Sequence, residues 1–173
     1  MKRYRRCIGL IATLWGLCLS AGCQPARPAV QMDDPQLTKF MQLLMPAKIE
    51  IQHYLTKPYD FDGAGSPNGL EVVLTTSDAF GDPVKCMGTF HFELYTLRMA
   101  SGDKLGKQIG SWPVEMDDEK TMLEYWDRLT HSYRFPLRLR NGVLPAGQYI
   151  LNAQLVTPAH ENLFDSYEFS NGG

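Results

Sequence analysis

The amino-acid sequence predicts an all-β fold, two antiparallel sheets packed face to face around one core. Three observations predict it. From residue 47 onward the apolar residues alternate with a period of two, the signature of strands with one buried face. The alternating runs are short, rich in β-branched and aromatic residues, and divided by clusters of Gly, Pro, Asn and Asp. Seven such runs occur, most with a polar opposite face, which suits half-buried antiparallel sheets rather than a parallel sheet covered on both sides.

The first 46 residues follow other patterns. Lys2, Arg3, Arg5 and Arg6 open the chain with no acid among them, and Cys7 to Leu19 carries no charge. A basic start before a short apolar run reads as a secretory signal, and the run is too short to cross a bilayer as a mature helix. Ser20, Ala21 and Gly22 then lead into Cys23, small residues of the kind a signal peptidase accommodates. This stretch resembles the lipobox of bacterial lipoproteins, with Leu19 four residues ahead of the cysteine rather than the commoner three. The resemblance implies that residues 1–22 are removed and that Cys23 becomes the acylated first residue. Two or more acyl chains would anchor it stably, at about 0.8 kcal/mol per buried CH₂. Gln24, rather than Asp, follows the cysteine. In a host with two membranes that implies the outer membrane, with the domain facing the periplasm.

Residues 23–33, with Pro25 and Pro28 and no aromatic side chain, read as a lipidated tether. Residues 34–46 read as a short amphipathic helix, with Asp34 as cap, Pro35 in the first turn, and Leu37, Phe40, Met41 and Leu44 on one stripe before Pro46. Lacking the basic face of an interfacial helix, it is expected to pack on its own domain. The sandwich is expected over 47–173, with strands at 48–55, 69–76, 90–97, 107–114, 133–140, 147–156 and 163–170. Phe90, Phe92 and Leu94 share a face, as do Leu70, Val72 and Leu74, and Tyr149, Leu151, Ala153 and Leu155. For Asp117 to Trp126 a short helix and an ordered crossover loop both fit.

Two stretches carry a further resemblance. SDAFGDPVKCMGTFHFELY (77–95) is similar to the turn between consecutive strands of bacterial immunoglobulin-like domains. LPAGQYILNAQL (144–155) resembles the start of their penultimate strand, with Tyr149 placed as in a tyrosine corner. The resemblance implies an antiparallel immunoglobulin-like sandwich of about seven strands, with fibronectin-like and transthyretin-like orders also open. Such domains serve adhesion, assembly or ligand display.

Without residues 1–22 the chain keeps 13 basic against 19 acidic side chains, a net charge of −6. That sign argues against nonspecific nucleic-acid binding, which needs a basic face against phosphates. Cys7 and Cys18 leave with the signal, so Cys86 is the one thiol besides the anchor, and no intramolecular disulfide framework is expected. It reads as a small buried apolar residue.

Candidate chemistry is sparse. The run from Asp60 to Glu71 follows the spacing of a calcium loop at Asp60, Asp62, Gly65 and Glu71, with Asn68 where a water-mediated ligand belongs. Ala64 and Pro67 break the pattern, and the flanks read as strands rather than helices. A polar inter-strand loop is expected; calcium held by Asp60, Asp62, Asn68 and Glu71 is the alternative. No other cofactor is expected. Arg134, Arg138 and Arg140 fall on one strand face, expected to be solvated and otherwise suited to a carboxylate or polyanion. His91 and Glu93 also share a face, but His53, His91, His131 and His160 show no metal-site spacing. Trp112, Tyr125, Trp126 and Tyr133 are expected to fill packing, with a carbohydrate or protein platform as the alternative. No nucleophile elbow, phosphate loop or dinucleotide fingerprint occurs.

The expectation is therefore a lipid-anchored envelope protein serving as a noncatalytic binding or assembly module. Its partners would be the membrane, through the anchor, and an envelope protein. The alternative is a small periplasm-facing hydrolase or metal-dependent enzyme that uses the histidines and the acidic loop.

Overall fold

A computed structural model of the chain describes residues 35–99, 102–140, 142–159 and 161–172. The predicted signal peptide, Cys23, the tether, the capping Asp34 and His160 lie outside these residues. The described elements run α1 (Pro35–Leu44), β1 (Lys48–Ile51), β2 (Lys57–Tyr59), β3 (Gly69–Ser77), β4 (Gly88–Leu97), β5 (Leu105–Met116), α2 (Glu119–Tyr125), β6 (Trp126–Asp127), β7 (Ser132–Arg138), β8 (Gly147–Val156) and β9 (Asn162–Asn171).

The strands form the two expected antiparallel sheets. One has the order β1-β3-β7-β6, with β2 sharing the β3 edge that β1 uses; the other has the order β5-β4-β8-β9. Along β3, β1 pairs with Leu74 to Ser77 and β2 with Gly69 to Glu71. The run predicted as one strand over 48–55 therefore breaks. Leu55 and Thr56 turn back onto the Gln52 carbonyl at 3.0 and 2.8 Å, and the buried Thr56 hydroxyl bonds both backbone groups of Val73. Strands β2 and β6, of three and two residues, are too short to show a period in the sequence.

Alternation places the core where expected. Leu70, Val72 and Leu74, Phe90, Phe92 and Leu94, Tyr133, Phe135 and Leu137, and Tyr149, Leu151, Ala153 and Leu155 are each at most 2% exposed. Each large apolar side chain buried in this way contributes roughly 1.5–3 kcal/mol. Phe90, Phe92, Tyr133 and Phe135 form its aromatic centre, with ring centroids 4.8 to 6.0 Å apart. The Tyr149 hydroxyl donates to the Pro145 carbonyl at 2.7 Å, the tie-back expected of that residue. In the 77–95 stretch, Asp78 accepts the N–H groups of Phe80 and Asp82 at 2.9 and 3.0 Å and so shapes the turn into β4.

The two flanks close differently. On one, the Ile51 N–H at the end of β1 donates to the Asp165 carboxylate of β9 at 2.7 Å. On the other, the stretch Asp117 to Trp126 holds α2 rather than a loop, because Asp118 caps it by accepting from the Thr121 N–H and hydroxyl at 2.9 and 2.8 Å. Met122 and Tyr125 of α2 pack against the core edge.

Helix α1 corrects an expectation. It buries no side chain, and Phe40 and Met41 are 58% and 51% exposed. The inner faces of the sheets are filled by their own strands, and no residue of α1 joins the core. Among the described residues no helix is long and apolar enough to cross a membrane.

Candidate functional site

The acidic loop joins β2 to β3, and its side chains have internal partners. The Asp60 carboxylate accepts four backbone N–H groups, those of Asp62, Gly63, Ala64 and Gly65, at 3.2, 2.9, 3.3 and 2.6 Å. These bonds, the one from Gly65 foremost, hold its carboxyl below the usual value of 3.8. Asn68 accepts from the Phe61 N–H at 2.8 Å. Asp62 lies 3.4 Å from Arg138, and Glu71 lies 2.8 Å from Arg134. The four predicted calcium ligands thus face four different local partners, and no group of three or more His, Cys, Asp or Glu among the described residues converges as a metal site.

His91 and Glu93 lie on the outer face of the β5-β4-β8-β9 sheet. The register sets Glu93 opposite Ser111 and Asn152, Asn152 opposite Ser166, and His91 opposite Gln154. Together with Phe164, 68% exposed, they line a shallow groove of about 670 Å³. Glu93 turns toward Tyr95 and Gln108, accepting at 3.0 and 3.2 Å, rather than toward His91. Asp60 belongs to the other sheet, so His91, Glu93 and Asp60 do not share a cleft. His53 stacks on Tyr167 with centroids 4.4 Å apart, and His131 faces Trp126 at 6.4 Å.

The arginines separate. Arg134 bridges Glu71 at 2.8 Å and Asp127 at 2.9 Å across β3, β7 and β6. Asp127 is held below its ordinary value first by the Leu129 N–H and then by Arg134. Arg138 leaves that network, lying 4.7 Å over the Phe61 ring. Arg140, past the end of β7, has no ion-pair partner among the described residues. Arg138 and Arg140 border a cleft of about 430 Å³ whose other wall is β5, with Gln108, Ser111, Trp112 and Pro113.

Trp112 fixes this cleft. Its inward-facing side chain spans the gap between the sheets, and its Nε1 donates to the Arg138 carbonyl at 2.7 Å. A Cβ at residue 110 would collide with the Trp112 ring, so Gly110 is what lets the indole lie across its own strand. The register slips beside it: Leu94 faces Gly110 and Tyr95 faces Gln108, so Ile109 is bulged. Tyr133 is fully buried, and Tyr125 and Trp126 pack against the core. Lys85 stands 4.7 Å over the Trp126 ring.

Sequence reasoning singled out Trp112, Arg138 and Arg140 but did not join them, and it missed Gln108, Ser111, Asn152, Gln154 and Phe164. The one available signal was their outward position in alternating runs. Cys86 is 4% exposed, and burial pushes its thiol up to about 11. Comparison with family models, with curated proteins and with solved structures returned no match.

Proposed function

We propose that this chain is a lipid-anchored envelope protein whose immunoglobulin-like sandwich acts as a noncatalytic binding module. The observation that carries the binding reading is the flank between β5 and β7, where Arg138 and Arg140 stand exposed beside a fixed indole. The groups an acid/base enzyme would use lie apart: Glu93 is turned from His91, and Asp60 accepts four backbone N–H groups within the β2–β3 loop of the opposite sheet. An immunoglobulin-like order is supported by β1-β3-β7-β6 facing β5-β4-β8-β9, the arrangement A-B-E-D against C′-C-F-G. The Tyr149 tie-back supports it too; on that reading Leu151 takes the position of the second cysteine of antibody domains.

Anchoring through Cys23, to the outer membrane if the host has one, rests on the lipobox resemblance of residues 1–23. The test is metabolic acyl labelling and envelope crosslinking of the wild type beside Cys23→Ala. The expected result is an acylated wild type with a reproducible crosslinked species that is lost from an unacylated variant. Equal acylation of both chains would overturn the anchor, and the absence of any specific crosslinked species from an acylated wild type would overturn the binding module.

A further inference from the structure

We propose that the cleft between β5 and the end of β7 binds a carboxylated sugar, with the carboxylate on Arg138 and Arg140 and the ring against Trp112. The inference rests on the binding-module reading and names the ligand class.

The charge of the cleft sets the first limit. Arg138 and Arg140, both exposed, border it, and Arg138 already has Asp62 at 3.4 Å and the Phe61 ring at 4.7 Å, so the positive charge left over, chiefly that of Arg140, matches a monoanion better than a phosphate dianion. Guanidinium forks pair bidentately with planar carboxylates, which Arg140 is free to do.

The flanking strands set the second. An open sheet edge ordinarily invites an extended peptide, which adds as a strand through a run of backbone donors. Among the described residues β5 is a sheet edge, and β6 pairs only with Ser132 and Tyr133, which leaves the rest of β7 uncovered on that side by any described strand. Pro113 on β5 and Pro136 on β7 carry no N–H, and the Ile109 bulge interrupts the β5 register. Neither strand can supply a continuous ladder, so a peptide strand is disfavoured where the anion site lies.

The remaining wall sets the third. An indole held by its hydrogen bond to the Arg138 carbonyl offers an apolar surface, Ser111 offers a hydroxyl, and Gln108 offers its amide oxygen, its nitrogen already donating to Glu93. An apolar surface with a few convergent polar groups suits a sugar ring, whose C–H face is apolar and whose rim is hydroxylated. The volume of about 430 Å³ falls in the range of small-molecule sites.

The test is titration of the full chain in detergent with a galacturonate disaccharide, read by calorimetry. Its methyl ester, inorganic phosphate and an acidic hexapeptide serve as competing probes. Saturable binding of the disaccharide is expected, weakened about tenfold or more by methyl esterification and by Arg140→Gln. Trp112→Phe, which keeps a ring but loses the indole donor, should weaken binding without lowering the melting temperature by more than a few degrees. Three results would overturn the assignment: no saturable binding, equal binding of the ester, or tighter binding of phosphate or peptide. The lipid-anchor reading fails separately, because an unacylated chain would still give this titration. Loss of disaccharide binding with the envelope crosslink intact would remove the sugar and leave the module.

Discussion

Single residues here carry identifiable duties. Tyr149 is 2% exposed, and its hydroxyl donates to the Pro145 carbonyl, so Tyr149→Phe should cost about 1 kcal/mol in chemical denaturation with the fold unchanged. Phe92 sits among aromatic rings at the core centre, and Phe92→Ala should cost about 3–5 kcal/mol because the rigid neighbours cannot close the cavity. Asp60, Asp118 and Asp127 each have a folded pKa below the ordinary 3.8, through backbone N–H bonds first. The native state therefore binds fewer protons than the unfolded chain near that value. Their stabilisation is present above about pH 4 and is lost as pH falls through the lowered values. Denaturation midpoints should drop from pH 5 to pH 2.5, and Asp60→Asn should shrink the drop; an unchanged pH profile in that variant would contradict the assignment. Cys86, buried and with its thiol raised to about 11, should react with an alkylating reagent only on unfolding.

Elements differ in how much of them the sequence displays. Strand β8, Gly147–Val156, has the bounds read from GQYILNAQLV, because ten alternating residues between turn signals leave one register that buries Tyr149, Leu151, Ala153 and Leu155. The run over 48–55 misled, since the turn at Gln52 depends on the Thr56 hydroxyl reaching Val73, a contact formed only by the tertiary fold. Helix α1 was legible as a helix but not in its packing, because an apolar stripe states what wants burial and not whether a surface is left to bury it. Truncation before Pro46 should leave the melting temperature of the sandwich within about a degree or two, as no side chain of α1 is buried. The loop from Asp60 to Glu71 shows how one spacing fits two readings: the same Asp-and-Gly sequence that suits a cation also suits a carboxylate ringed by its own N–H groups. Calcium at millimolar levels should not raise the melting temperature, and a rise abolished by Asp62→Ala would contradict this account.

At the scale of the molecule, the two sheets close one flank with the Ile51–Asp165 bond and the His53–Tyr167 stack and leave the other partly open beside α2. The open flank was not legible as a site because its members are far apart in the chain: Gln108 to Pro113 come from one sheet and Arg138 and Arg140 from the other. The facing of the two sheets, the Trp112 bond to the Arg138 carbonyl and the glycine beneath the indole bring them together. Gly110→Ala should displace the indole, break its bond to the Arg138 carbonyl and abolish binding at the cleft more than it lowers stability. The central claim is that the domain engages its ligand through this flank, and a photocrosslinking residue placed at Ser111 in the native envelope tests it most directly, with Lys48 on the far edge as control. A specific adduct is expected at Ser111, absent at Lys48 and lost when Arg138 and Arg140 are both changed to Gln. Equal capture at both positions, or capture indifferent to the arginines, would contradict it.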